Sequence, residues 1–149
     1  MALVEKFGAN LVTKDGVKDT MEVLKQSKYV ILYFSAMWCS SCKMFTKKLE
    51  KFYNHANKDE KNVEIVLVSC DEEEEDFNDY YEDHPWIALE FDKERNTQLC
   101  HEFDVIQMPA FILINQEGEV VTTKLKDEIN TRGIETFDVM KEVFPATFP

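Results

Sequence analysis

Six consecutive apolar residues, Tyr29-Val30-Ile31-Leu32-Tyr33-Phe34, lead into two cysteines spaced C-x-x-C, Cys39 and Cys42. No other feature of the chain limits its fold as sharply. An apolar run without alternation is a strand covered on both faces. Beyond the bend at Ser35-Ala36-Met37-Trp38, Phe45, Leu49, Phe52 and Tyr53 recur at helical spacing and predict a helix over residues 40–57. The cysteines therefore fall at the first turn of that helix, where positions i and i+3 share a face and both sulfurs can meet. Open backbone N–H groups and the positive end of the dipole favour a thiolate there. Such placement lowers a cysteine pKa from about 8.5 to about 3.5–7.5. A thiolate is the nucleophile of disulfide exchange. Cys39, nearer the bend and solvent, is the expected attacking sulfur, and Cys42, one turn further in, the expected resolving one.

The same spacing also serves as half of a zinc site. Such a site brings a second Cys or His pair at short spacing. Cys70, Cys100, His55, His84 and His101 form no such pair, so no metal is expected. A chain of 149 residues suits one domain, 1–149, large enough to bury about 70% of its unfolded surface. A net charge of −12 argues against a nucleic-acid binder, which needs a basic footprint, and against docking on an anionic membrane. The apolar run ending at Phe34 is too short to span a bilayer. Glu5 and Lys6 stand where a secretory h-region would begin. Four cysteines without an export signal lead to the expectation of a reducing compartment, cytoplasmic or nuclear.

Along the chain, Asn10–Thr13 reads as a first strand and Lys14-Asp15-Gly16 as a turn; Val17, Met21 and Leu24 then recur at helical spacing and predict a helix over residues 18–26. Val63–Cys70 is a second buried strand, joined to the first buried one through the helix as a right-handed βαβ unit. Between Asp71 and Asp83, Phe77, Tyr80 and Tyr81 form a single stripe among carboxylates, which predicts a surface helix that ends before Pro85. Leu89-Glu90-Phe91 is a brief extended piece, and Leu99 and Phe103 mark a helix over residues 95–103. Cys100 and His101 on that helix read as a packed thiol and a surface imidazole. Ala110–Asn115 and Glu119–Thr123 form a hairpin closed at Gly118, and residues 134–144 a last helix stopped by Pro145. Strands alternating with helices, then a hairpin, give an α/β fold: a mixed central sheet flanked by helices on both faces.

Several stretches resemble the tryparedoxin and nucleoredoxin branch of the thioredoxin superfamily. They are Tyr33 to Cys42 with Phe45-Thr46 and Phe52-Tyr53, Val68-Ser69-Cys70-Asp71-Glu72 with the acidic aromatic helix and Pro85-Trp86, and Gly118 to Thr123. Asp127 to Gly133, followed by an aromatic-bearing helix, is similar to the small nucleoredoxin-like proteins. The resemblance implies a thioredoxin-like fold and a thiol–disulfide oxidoreductase that uses no bound cofactor. It makes Cys39 the nucleophile, Cys42 the resolving cysteine, Trp38 the active-site tryptophan and Pro109 a cis-proline. The backbone before that proline, at Met108, would pair with substrate. Ser40-Ser41 replaces the Pro-Pro usual between the cysteines, Cys70 stands where Trp is frequent, and Ala110 follows the proline in place of Thr. Tyr33 occupies the position of the buried acid of thioredoxins proper, so Tyr33 and Glu72 are the candidates for a proton relay. The implied partners are a disulfide-containing protein or a low-molecular-weight thiol, with an external thiol or reductase, and a monomer is expected. A redox-sensitive binding module with little turnover is the alternative function.

Overall fold

The computed structural model describes residues 2–148. In chain order the elements are α1 (Ala2–Phe7), β1 (Asn10–Thr13), β2 (Gly16–Asp19), α2 (Thr20–Leu24), β3 (Tyr29–Ser35), α3 (Ser40–Ala56), β4 (Val63–Ser69) and α4 (Glu74–Glu82). They continue with β5 (Ile87–Leu89), α5 (Lys93–Glu102), β6 (Ala110–Ile114), β7 (Val120–Thr122), α6 (Leu125–Arg132), a 3-10 turn (Gly133–Glu135) and α7 (Thr136–Val143). The sheet runs β2-β1-β5-β4-β3-β6-β7. β3 is parallel to β4, and β4 to β5; β6 lies antiparallel to β3 on its other side. Every residue of β3 and of β4 is buried, which explains why apolar residues fill both except at the closing serines and at Glu64, whose carboxylate accepts from the Tyr53 hydroxyl and pairs with Lys61.

The two-residue period of β3 divides the core. Tyr29, Ile31 and Tyr33 face one side, with Phe45, Leu49 and Phe52 of α3, the aromatics of α4, and Leu125, Ile129, Phe137 and Met140 of α6 and α7. Val30, Leu32 and Phe34 face the other, with α1, α2 and α5. Helices thus cover both faces, as the alternating pattern predicts. Trp86 is buried at the centre of the first layer, edge-on to Tyr33 and Tyr53.

Four details differ from the sequence expectations. α1 and α6 each carry two buried residues, Leu3 with Phe7 and Leu125 with Ile129. Stripes that short are set by tertiary contact, not by local pattern. β2 is exposed throughout and pairs only with β1, so no burial pattern marks it; Val17 belongs to it and not to the following helix. The extended piece before α5 lies at Ile87–Leu89, because pairing with Val66-Leu67 of β4 selects it. α7 begins at Thr136: Gly133 takes a positive φ of 59°, and exposed Ile134 sits in the 3-10 turn. In the β6–β7 hairpin, Gly118 has a φ of 77° and Asn115 Oδ1 accepts from the N–H groups of Glu117 and Glu119.

A candidate redox site at the amino end of α3

β3, flanked by β4 and β6, delivers the chain to the carboxyl end of the parallel strands, and Ala36-Met37-Trp38 turn it into α3. Cys39 is the N-cap of that helix, with extended backbone and a sulfur that accepts the N–H of Cys42 at 3.2 Å. Cys39 and Cys42 are joined as a disulfide with their Cα atoms 5.2 Å apart. Cys39 keeps 8% of its surface exposed and Cys42 none. This asymmetry suits an attacking sulfur and a resolving one. Ser41 Oγ lies 3.3 Å from Cys39 Sγ and donates to the Met108 carbonyl at 3.5 Å. The hydroxyl between the cysteines therefore links Cys39 to the loop opposite.

That loop carries the Met108–Pro109 peptide bond, which is cis. Met108 packs against Ala36, Cys39 and Cys42. Trp38 is 63% exposed and forms a rim beside them. A groove of about 350 Å³ runs past Trp38, Cys39, Ile106, Gln107 and Met108. The residues expected at the site from both ends of the fold, Trp38, Cys39, Cys42, Met108 and Pro109, thus converge.

The two proton-relay candidates separate. The Tyr33 hydroxyl is buried and donates to the carbonyl oxygen of Cys42 at 3.0 Å; it lies 2.7 Å from Thr46 Oγ1. Thr46 in turn donates to the same carbonyl at 2.9 Å and lies 3.1 Å from the Tyr80 hydroxyl, which is 2.7 Å from Ser35 Oγ. Burial, then neighbouring Tyr80, pushes the Tyr33 phenol far above its ordinary range. It stays neutral and steadies the first turn of α3. Glu72 is turned away to an exposed ion pair with Lys93. The carboxylate aimed at the site is that of Asp71, one residue earlier. Asp71 is buried and accepts from the Met37 N–H at 3.0 Å and the Ser69 hydroxyl at 3.1 Å. Burial raises its pKa against those two hydrogen bonds. Neighbouring residues on a chain leaving a strand point in opposite directions, so an apolar-pattern reading could not choose between Asp71 and Glu72.

Sequence reasoning also missed the polar cluster of Ser35, Thr46 and Tyr80. The only available signal was polar residues at buried periodic positions. Among the described residues, no group of three or more His, Cys, Asp and Glu side chains is placed to hold a metal ion.

A C-x-x-C pair at a helix amino end, opposite a cis-proline on a mixed sheet of this order, defines a thioredoxin-like disulfide-exchange domain. The family model described as Thioredoxin-like matches residues 26–120, and the chain belongs to that family. It is 39% identical over 122 residues to a tryparedoxin of Trypanosoma brucei brucei, covering 80% of this chain and 83% of that one. It is 32% identical over 129 residues to probable nucleoredoxin 1 of Arabidopsis thaliana, of whose length it spans 22%. The native tryparedoxin I structure from Crithidia fasciculata superposes with a TM-score of 0.80 at 31% identity, over 90% of this chain and 94% of that one. Tryparedoxin II in complex with glutathionylspermidine also gives 0.80 at 31%, over 97% and 99% of the two chains. The redox pair and the likeness to tryparedoxins make this chain a thiol–disulfide oxidoreductase. No helix among the described residues is long and apolar enough to cross a membrane.

Proposed function

We propose that the chain reduces disulfides in protein substrates, with an external low-molecular-weight thiol or a reductase restoring it. The observation that carries this reading is the apolar rim beside a nearly covered nucleophile. Trp38 and Ile106, which line the groove with Cys39, are exposed by 63% and 93%, although each is a large apolar side chain. Exposed apolar surface around a reactive group suits a peptide or protein ligand.

The Cys39 thiolate attacks one sulfur of the substrate disulfide, and the other substrate sulfur leaves as a thiolate. The Cys42 thiolate then attacks Cys39 Sγ, releasing the second substrate thiol and forming the Cys39–Cys42 disulfide. Two electrons pass to the substrate. A dithiol reverses the last bond by the same exchange. The complex of tryparedoxin II with glutathionylspermidine supports a small thiol as one partner. The Met108 backbone, beside Cys39, is the candidate for pairing with an extended substrate segment. Trp38 and Pro109 complete the docking edge. A monomer in a cytoplasmic or nuclear compartment completes the proposal.

Dithiothreitol-driven reduction of insulin, comparing wild type with Cys39→Ser, tests it. Acceleration by wild type that is lost in the variant is expected. Absence of acceleration, from protein with both thiols shown to be free, would favour a redox-sensitive binding module that uses the same rim to hold a partner.

A further inference from the structure

Cys70 and Cys100 are separated by thirty positions in the chain, yet their sulfurs lie 3.7 Å apart. Cys70 follows the carboxyl end of β4, and its N–H donates to the Ser35 carbonyl at 2.8 Å. Cys100 sits in the last turn of α5. Asn96, one turn earlier on α5, donates to the Ser69 carbonyl at 3.0 Å and so ties that helix to the strand end. Neither sulfur is closed off: both line the groove of about 350 Å³ that also holds Cys39 and Trp38. Cys70 packs against the cluster of Ala36, Cys39 and Cys42.

We propose that Cys70 and Cys100 are a second redox couple, which closes to an intramolecular disulfide by exchange with the Cys39–Cys42 pair across their shared groove. The proposal rests on the reading of Cys39–Cys42 as the catalytic pair. The sulfurs need to approach from 3.7 Å to about 2.0 Å to form the bond.

The exchange starts from oxidised Cys39–Cys42, which substrate reduction produces. The hydrogen bond to Cys100, then burial, keeps Cys70 protonated, and the same hydrogen bond lowers the Cys100 thiol against its own burial. Cys100 is therefore the thiolate of the couple and Cys70 the thiol that donates to it. The Cys100 thiolate attacks Cys39 Sγ across the groove both line. The Cys39–Cys42 bond breaks and Cys42 leaves as a thiolate, which takes the Cys70 proton. The Cys70 thiolate attacks Cys100 Sγ, forming the Cys70–Cys100 bond and releasing Cys39 as a thiolate. Two electrons move from the second couple to the first, with no further oxidant or reductant. One fully reduced molecule can then reduce two substrate disulfides before it needs an external thiol.

The test is a thiol inventory, read whether or not insulin is turned over. Fully reduced wild type, Cys70→Ala and the Cys39→Ala, Cys42→Ala variant are exposed to graded oxidised glutathione, quenched in acid, alkylated and mapped by mass. Wild type is expected to yield a linked Cys70–Cys100 peptide alongside Cys39–Cys42. Cys70→Ala should keep the Cys39–Cys42 bridge and leave Cys100 alkylated. The variant lacking the first pair should form the second bridge about tenfold more slowly. Free Cys70 and Cys100 in wild type whose first pair is fully oxidised would overturn the proposal, as would separate glutathione adducts on the two without a bridge. An unchanged rate in the variant lacking the first pair would overturn the exchange between couples. Failure of the proposed function would show instead as insulin that is not reduced.

Discussion

Cys39–Cys42 and Cys70–Cys100 place the same functional group in opposite surroundings. The first pair spans a single helical turn at the amino end of α3, where backbone N–H groups face the sulfur; Cys42 N–H does so at 3.2 Å. The second joins a strand end to the carboxyl-terminal turn of α5, where carbonyls face outward and a thiolate gains nothing from the dipole. The first pair rests on the buried hydroxyl cluster of Tyr33, Thr46, Tyr80 and Ser35. The second has each other as partner and an opening to solvent at Thr97 and Lys93. Helix position, more than the presence of two nearby sulfurs, distinguishes a nucleophilic pair from a reserve one.

The largest effect should come from removing the nucleophile. Cys39→Ser should lower insulin reduction by on the order of 10³-fold or more, because the hydroxyl is a far weaker nucleophile at neutral pH. The same substitution at Cys70 should not. Equal losses at the two positions would erase the distinction drawn between the pairs.

The support beneath the first pair should carry a pH signature. His84 is buried against Tyr80, with ring centroids 4.4 Å apart, and its Nδ1 accepts the Trp86 indole N–H. Burial, then the charge of Lys14, lowers its pKa to about 4 from 6.5. Between these values the unfolded chain holds the proton and the folded chain does not. Stability present above pH 6.5 is therefore lost as pH falls toward 4. At pH 5 the loss relative to pH 7 should be on the order of 2 kcal/mol by urea unfolding. A His84→Gln variant should lack that part of the slope. An unchanged slope would remove His84 from the support.

Tyr33→Phe deletes the hydroxyl that donates to the Cys42 carbonyl. Thr46 still reaches that carbonyl, so the expected cost is about 1–2 kcal/mol of stability by denaturant titration, with turnover lowered less than by any change at Cys39. A Tyr33→Phe protein as inactive as Cys39→Ser would make the phenol part of the proton path, not a support.

The smallest effect should be that of Cys70→Ala on steady-state turnover. With external dithiol in excess it should stay within about twofold of wild type, and the small void left should cost about 1 kcal/mol of stability. A large loss of turnover would merge the two pairs into one catalytic unit.

Much of this is legible in the sequence. The runs of β3 and β4 declared buried strands, and the C-x-x-C at a strand-to-helix bend placed Cys39 and Cys42. The stripe of Phe77, Tyr80 and Tyr81 placed α4 correctly, because three large rings at i, i+3, i+4 leave little ambiguity of face. β2, α1 and α6 were not legible, since an exposed edge strand and short helices with two buried residues each carry too little periodic signal. The sequence offers Tyr33 and Glu72 as relay candidates, whereas the fold pairs Glu72 with Lys93 and turns Asp71 inward. Local pattern says that a carboxylate follows the strand, not which of two neighbours the backbone aims at Met37 N–H.

By itself the sequence determined the strand-bend-helix unit, the cysteine pair at its bend, and a two-faced α/β sheet, because each depends on spacing within a few consecutive turns or residues. Tertiary structure alone decided what surrounds them. It brought Met108 and Pro109 to Cys39, stacked the hydroxyls of residues 33, 35, 46 and 80 beneath Cys42, and set Cys70 beside Cys100. The Tyr33–Thr46, Cys70–Cys100 and Ser41–Met108 contacts join residues 13, 30 and 67 positions apart, and the packing of helices on the sheet, which no local period encodes, selects them.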